Sequence, residues 1–367
     1  MSIIIFLISL AVLILVHEFG HFIVAKKSGI RVDEFSLGFP PRLWSKKVGE
    51  TLYSINAIPI GGYVKIFGED SHSPMSDIGR EEREISFQYK PKWIQALVLV
   101  AGVTMNIILA WILISLGFVI GLPTPTNYTG YGKVVNAHVL VTDILQNSPA
   151  EKAHLETGDR IILIGSGDTK IEDPNITPEK ISDLISKSKS AVEITYKRGA
   201  GSAVTINVLP NGNIIEGRNV IGAAFDEIGT LKLPVHLALL EGLQTTWDLT
   251  KVTAVGLGEF LLSVVKFKAN FSEVTGPIGI ASVVGQARSL GFVYLISLVA
   301  LISINLAIIN LLPFPALDGG RLLFVGIEAI MGRPISPLVV KWTNTIGFAI
   351  LILLMIVVTT HDVFRFL

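Results

Sequence analysis

The chain has 367 residues, half of them hydrophobic and only 16% charged, with a mean hydropathy of +0.59. That balance is too apolar for an ordinary soluble enzyme and indicates a polytopic membrane protein. Thirty basic against thirty acidic residues leave no excess that would suggest nucleic acid, and the absence of cysteine removes any disulfide framework and confines a metal to His, Asp, Glu or Asn donors.

The first apolar segment, Ile3–Ala25, is long enough to cross a bilayer, and its only strongly polar side chains are Ser9, His17, Glu18 and His21. It has no basic n-region and no small-residue cleavage site after the apolar run, and so reads as a retained span. His17, Glu18 and His21 form H-E-x-x-H. Four residues apart on a helix, the two imidazoles leave one face with Cβ atoms about 5–6 Å apart, close enough to share a zinc ion, and Glu18 is placed to act as general base on a water. Two solvated histidines flanking a glutamate would be the ordinary reading in a soluble helix. In lipid each such group disfavours insertion by about 2.5–3.5 kcal/mol, so an unpartnered trio is costly and a metal site is the better reading. With Lys26 marking the water boundary, His17 lies roughly 13 Å below it at the helical rise.

Eleven Lys and Arg residues lie from Lys26 to Lys92 inclusive, and nothing basic precedes the first span, so this loop is expected to be cytoplasmic and both termini external. Residues 31–67 read as a small curved β-sheet. Its edge could pack against the helices or pair with an extended substrate segment. Residues 69–86 read as a mobile charged loop. The second span is Ile94–Leu122. Residues 127–210 alternate strands with a polar helix near Thr177–Lys189, giving one compact external α+β domain. Within it, residues 147–162 (NSPAEKAHLETGDRII) resemble the helix-turn-strand signature of PDZ domains; a plain spacer domain is the simpler alternative. Residues 234–268 form an amphipathic helical pattern that Gly256 and Gly258 break, expected to lie on the membrane within a linker region, 211–291. Phe292–Leu317 and about Thr345–Thr360 are the third and fourth spans, the last extending if Trp342 and Phe364 are interfacial anchors.

Two histidines do not complete a zinc site. Asp318 follows Pro313 and Pro315, which end the regular helix at membrane depth, and it offers the missing carboxylate; alone, it would read as a cap for the helix that follows.

H-E-F-G-H at 17–21, A-G-V-x-M-N at 101–106, T-G-P-I-G-I-A at 275–281 and N-L-L-P-F-P-x-L-D-G-G at 310–320 resemble the site-2 protease family, specifically the bacterial regulator of sigma-E protease type with an inserted PDZ domain. Two departures stand out: one visible PDZ domain where some relatives carry two, and Gly38-Phe39-Pro40-Pro41 in place of Gly-Phe-Gly. The resemblance implies an intramembrane zinc metalloprotease of the bacterial cytoplasmic (inner) membrane. Its partners would be the lipid bilayer and single-pass membrane substrates, such as anti-sigma factors or remnant signal peptides, already trimmed by another protease. It also implies that Asn310 helps hold the substrate and that Gly61, Gly62 and Tyr63 present it.

The expected architecture is therefore a polytopic α-helical membrane protein. Residues 1–122 carry the H-E-x-x-H motif and the β-rich loop, 127–210 form the external PDZ domain, and 292–367 hold the last two spans. One zinc ion would be held by His17, His21 and Asp318, with Glu18 as the base. An ion-coupled transporter would call for inverted repeats and paired broken helices, and only one break is visible. A catalytically inactive PDZ scaffold would not need all four polar residues intact.

Overall fold

Four helices in the computed structural model are long and apolar enough to cross a membrane: Ile3–Lys27, Lys92–Ile120, Phe292–Leu311 and Pro337–Phe364. An apolar run at membrane depth must satisfy its own backbone, which the helix does and an isolated strand does not. The structure describes residues 2–69, 79–167, 169–199, 201–215, 218–266, 268 and 276–366. In chain order the elements are α1 (Ser2–Lys27), β1 (Val32–Val48), β2 (Thr51–Ile66), α2 (Arg80–Glu84), α3 (Lys92–Ile120), β3 (Leu122–Pro125), β4 (Val134–Ile144), α4 (Pro149–Lys152), β5 (Arg160–Ser166) and β6 (Thr169–Glu172). There follow α5 (Pro178–Lys187), β7 (Val192–Lys197), β8 (Ala203–Val208), β9 (Asn211–Ile215), β10 (Arg218–Val220), β11 (Ala223–Leu231), α6 (Val235–Val265), α7 (Pro277–Leu290), α8 (Phe292–Leu311), α9 (Asp318–Met331) and α10 (Pro337–Phe366).

Two sequence expectations are corrected, and the fourth span has the longer of its two expected extents. The third apolar segment was expected to run to Leu317, but α8 stops at Leu311, because Pro313 and Pro315 have no N–H for the helical ladder. The fourth, expected near Thr345–Thr360 and longer with Trp342 and Phe364 as anchors, is a helix that takes in both of those residues. Gly256 and Gly258 were expected to break the amphipathic segment, yet α6 passes through both. A helical glycine costs about 1 kcal/mol relative to alanine but leaves the hydrogen-bond ladder intact. Residues 70–78 of the charged loop lie outside the described residues, as does Thr275 of the T-G-P-I-G-I-A run.

The chain divides into two units. The first comprises residues 1–114, 242–286 and 297–367. In it, β1 and β2 form an antiparallel sheet in which each strand serves twice: Phe35 pairs with Tyr53 on one side and Val64 on the other, and Ser36 likewise with Ser54 and Tyr63. The first half of β1 is thus sandwiched between the two halves of β2, leaving Gly62–Ile66 as an edge. A buried cluster of Ala25, Ile30, Val32, Phe87, Val98 and Leu99 ties the end of α1 to this sheet and to α3. Near the end of α10, the buried Asp362 carboxylate accepts the N–H groups of Gly276 and Gly279 (3.2 and 2.9 Å) and so holds the start of α7.

The second unit comprises residues 115–241 and 287–296. Its seven-stranded sheet runs β3-β11-β4-β5-β7-β8, with β6 on β5, so it recruits strands on both sides of 127–210. Alternating Ile and Val side chains from β4, β5 and β7 meet Ile181, Leu184 and Ile185 of α5 in one core. Thr177 caps α5 by accepting the N–H of Lys180, and Ser148 caps α4 by accepting that of Glu151. Asp159, fully buried, is held by a two-point contact from Arg198 at 2.7 and 2.8 Å.

Candidate metal centre

His17 and His21 lie one turn apart on α1, both buried, and Asp318 is the first residue of α9. The capping alternative for Asp318 is not what the structure holds. The N-cap position belongs to Leu317 and no side chain caps the helix; the Asp318 carboxylate turns instead to the histidines. Its Oδ2 is 2.9 Å from His17 Nε2 and 3.3 Å from His21 Nε2, and the two Nε2 atoms are 3.2 Å apart. A tetrahedral ion with bonds of about 2.0–2.1 Å separates its ligands by about 3.3 Å, so all three distances suit a single zinc ion. Among the described residues this is the one group of three or more His, Asp or Glu side chains placed to hold a metal.

The chemistry of the donors points the same way. His21 Nδ1–H donates to the carbonyl of Val98 (2.8 Å), so a neutral His21 presents a lone pair at Nε2. That lone pair faces a carboxylate oxygen and a second imidazole nitrogen in a buried site, an arrangement that a cation at the centre resolves. The space is kept open by Gly102 on α3: a Cβ there would sit 2.4 Å from His21 Nε2 and 2.7 Å from His17 Cε1. Beside His17, the Asn106 side-chain amide Nδ2 lies 3.3 Å from Nδ1, and Ser303 of α8 donates to the Asn106 main-chain carbonyl at 2.8 Å.

Glu18 follows His17 on α1 and reaches toward the β2 edge. Its Oε2 accepts the Val64 N–H at 2.9 Å, which anchors it on the β2 edge. Glu18, His21, Tyr63, Val64 and Asp318 line a cavity of about 370 Å³, with the ion pair of Arg321 and Glu69 also at its wall. Gly61 sits at φ +98°, a conformation costly for any residue with a Cβ, and a Cβ on Gly62 would come within 2.5 Å of Ser36 O. The pair lets β2 turn tightly beside α1 and delivers Tyr63 to the cavity. Asn310 is half-buried in the last turns of α8 and is not among the cavity's lining residues.

The residues that the motif reading did not single out as site residues are Val98, Gly102 and Asn106. An asparagine four residues after a glycine inside an otherwise apolar span was a usable signal, since a polar side chain at that depth needs a partner.

Comparison with known proteins agrees with this geometry. Residues 5–354 match the description of peptidase family M50. A Clostridium acetobutylicum protein provisionally named a zinc metalloprotease is 34% identical over 366 residues, covering 99% of this chain and 97% of its own. The zinc metalloprotease RasP of Oceanobacillus iheyensis is 30% identical and covers 99% of each chain. The regulator of sigma-W protease RasP of Bacillus subtilis is 29% identical, covering 99% of this chain and 98% of its own. With the family match spanning nearly the whole length and His17, His21 and Asp318 meeting in one cluster that could hold a metal ion, the chain belongs to peptidase family M50.

Proposed function

We propose that this protein is an intramembrane zinc metalloprotease that hydrolyses peptide bonds within or near the spanning segments of single-pass membrane proteins, in the manner of regulated intramembrane proteolysis. The observation that carries the proposal is the convergence of His17 and His21, in the first membrane-length helix, with Asp318 at the start of α9, at spacings suited to one zinc ion. His17, His21 and Asp318 hold the metal. Zinc bound there supplies a Lewis acid that makes a water nucleophilic near neutral pH and polarises a carbonyl.

The remaining steps belong to the chain. Glu18, on the cavity wall next to His21, takes the proton of the attacking water and returns it to the leaving amine. A helical substrate hides its scissile carbonyl in its own ladder and must be unwound first. The Gly62–Ile66 edge carries no further strand among the described residues, so it can receive the unwound segment as an added strand. Tyr63 then lies beside the scissile bond, and Gly61 and Gly62 set the edge's position. Asn310, which does not line the cavity, holds a part of the substrate that reaches beyond it.

The second unit is proposed to be an external PDZ-type domain built around 127–210. Support comes from the S-P-A-E-K-A to G-D-R-I-I stretch, which forms α4 and β5 with Asp159 locked by Arg198. We place the protein in the bacterial inner membrane, with both termini outside and the basic loop inside. Its substrates are taken to be trimmed beforehand by another protease. The test is cleavage of a model single-pass substrate by the purified, zinc-loaded full chain beside its E18Q variant.

A further inference from the structure

The face of α3 that meets the two histidines repeats once per turn: Val98, Gly102 and Asn106 lie at positions i, i+4 and i+8. Val98 offers a carbonyl to His21 Nδ1, Gly102 offers room for both rings, and Asn106 offers its amide to His17 Nδ1. The first two contacts explain His21. For His17 the chemistry is more demanding.

A histidine that binds a metal through Nε2 carries its proton on Nδ1 and needs an acceptor there. The Asn106 side chain is fully buried, and its Oδ1 has no hydrogen-bond partner while its Nδ2 faces His17 Nδ1 at 3.3 Å. That pairing suits a His17 whose Nδ1 is an acceptor and whose Nε2–H points at Asp318. When Nε2 gives its lone pair to a metal, the same site requires an oxygen. An amide carries one acceptor end and one donor end of nearly the same shape, so half a turn about its last torsion exchanges them. Resting on the metal-site reading above, we propose that Asn106 is the positioning residue for His17. Its amide oxygen accepts Nδ1–H in the zinc-bound protein and fixes the tautomer that leaves Nε2 free for the metal, while the Ser303 hydroxyl holds the main chain at this position by donating to the Asn106 backbone carbonyl.

An aspartate at 106 supplies the acceptor without the donor, whereas leucine or alanine supplies neither. The experiment measures zinc affinity of the detergent-purified full chain by chelator competition, with the visible spectrum of the cobalt-substituted protein as a second readout. N106L and N106A should bind zinc about 10–100-fold more weakly than wild type, the usual effect of losing an outer partner of a metal-bound histidine. N106D should stay within a few-fold of wild type and keep its cobalt spectrum. Wild-type affinity in N106L or N106A overturns the proposal, and so does a loss in N106D as large as theirs. If the apolar variants do not fold, N106D decides alone: a loss beyond tenfold in a folded protein contradicts an acceptor role. H17A separates the two levels. If it binds zinc as tightly as wild type, the metal-site reading fails; if it loses zinc while the Asn106 variants do not, only the role of Asn106 fails.

Discussion

Asp318 is the residue whose surroundings decide most. In the sequence it could cap a helix or ligate a metal, and local pattern alone favours the cap, since aspartate ahead of Gly-Gly and an apolar run is a common helix start. Its carboxylate instead meets two imidazoles, 301 and 297 residues earlier in the chain, from a position one residue inside α9. His17 and His21 were legible because their spacing is helical and their setting apolar. Asn106 and Gly102 were legible only as a polar residue and a glycine in an apolar span; which side chains they meet depends on which face of α3 turns to α1, and no single helix encodes that. D318A should therefore lose bound zinc and cleavage together while the α-helical content holds, since two histidines leave the ion short of protein ligands. Metal analysis and a cleavage assay on the same preparation check this. A D318A protein that keeps its zinc and cleaves would remove Asp318 from the ligand set.

At the scale of elements, the β2 edge does two things at once. Its Val64 N–H faces outward and holds Glu18, so it is not spent on the ladder with β1, and a substrate strand added at this edge would compete for the same donor. V64P removes that N–H at an edge position where a sheet tolerates proline. The expected outcome is unchanged zinc content with cleavage efficiency reduced more than about tenfold, the loss of one interaction worth about 1.4 kcal/mol or more in the transition state. Steady-state cleavage and metal analysis test it, and full activity in a folded V64P protein would separate Glu18 and substrate binding from this edge. The sheet also marks a limit of sequence reading. Strands in 31–67 were visible from their turns, but the double use of β1 was not, nor was the recruitment of Leu122–Pro125 and Ala223–Leu231 to the second unit's sheet. Such pairings join distant segments and leave no local periodicity.

For the whole molecule, four membrane-length helices and a loop rich in Lys and Arg after the first of them are the grounds for the proposed orientation, with that loop inside. Reporters fused after Ser76 and after Gly332 should read cytoplasmic, and one placed within 165–170 external. A cytoplasmic reading at 165–170 would overturn the placement of the second unit. The central claim is that a buried zinc ion and the neighbouring Glu18 cut peptide bonds in the membrane, with Glu18 acting as base and not as ligand. The most direct test measures, on one preparation, zinc per chain and cleavage of a single-pass substrate for wild type and E18Q. The account predicts about equal zinc in both and a loss of cleavage of about 10²–10⁴-fold in E18Q, the scale of general-base catalysis. Zinc lost along with activity would assign Glu18 to the ligand set, and cleavage undiminished in E18Q would contradict the mechanism.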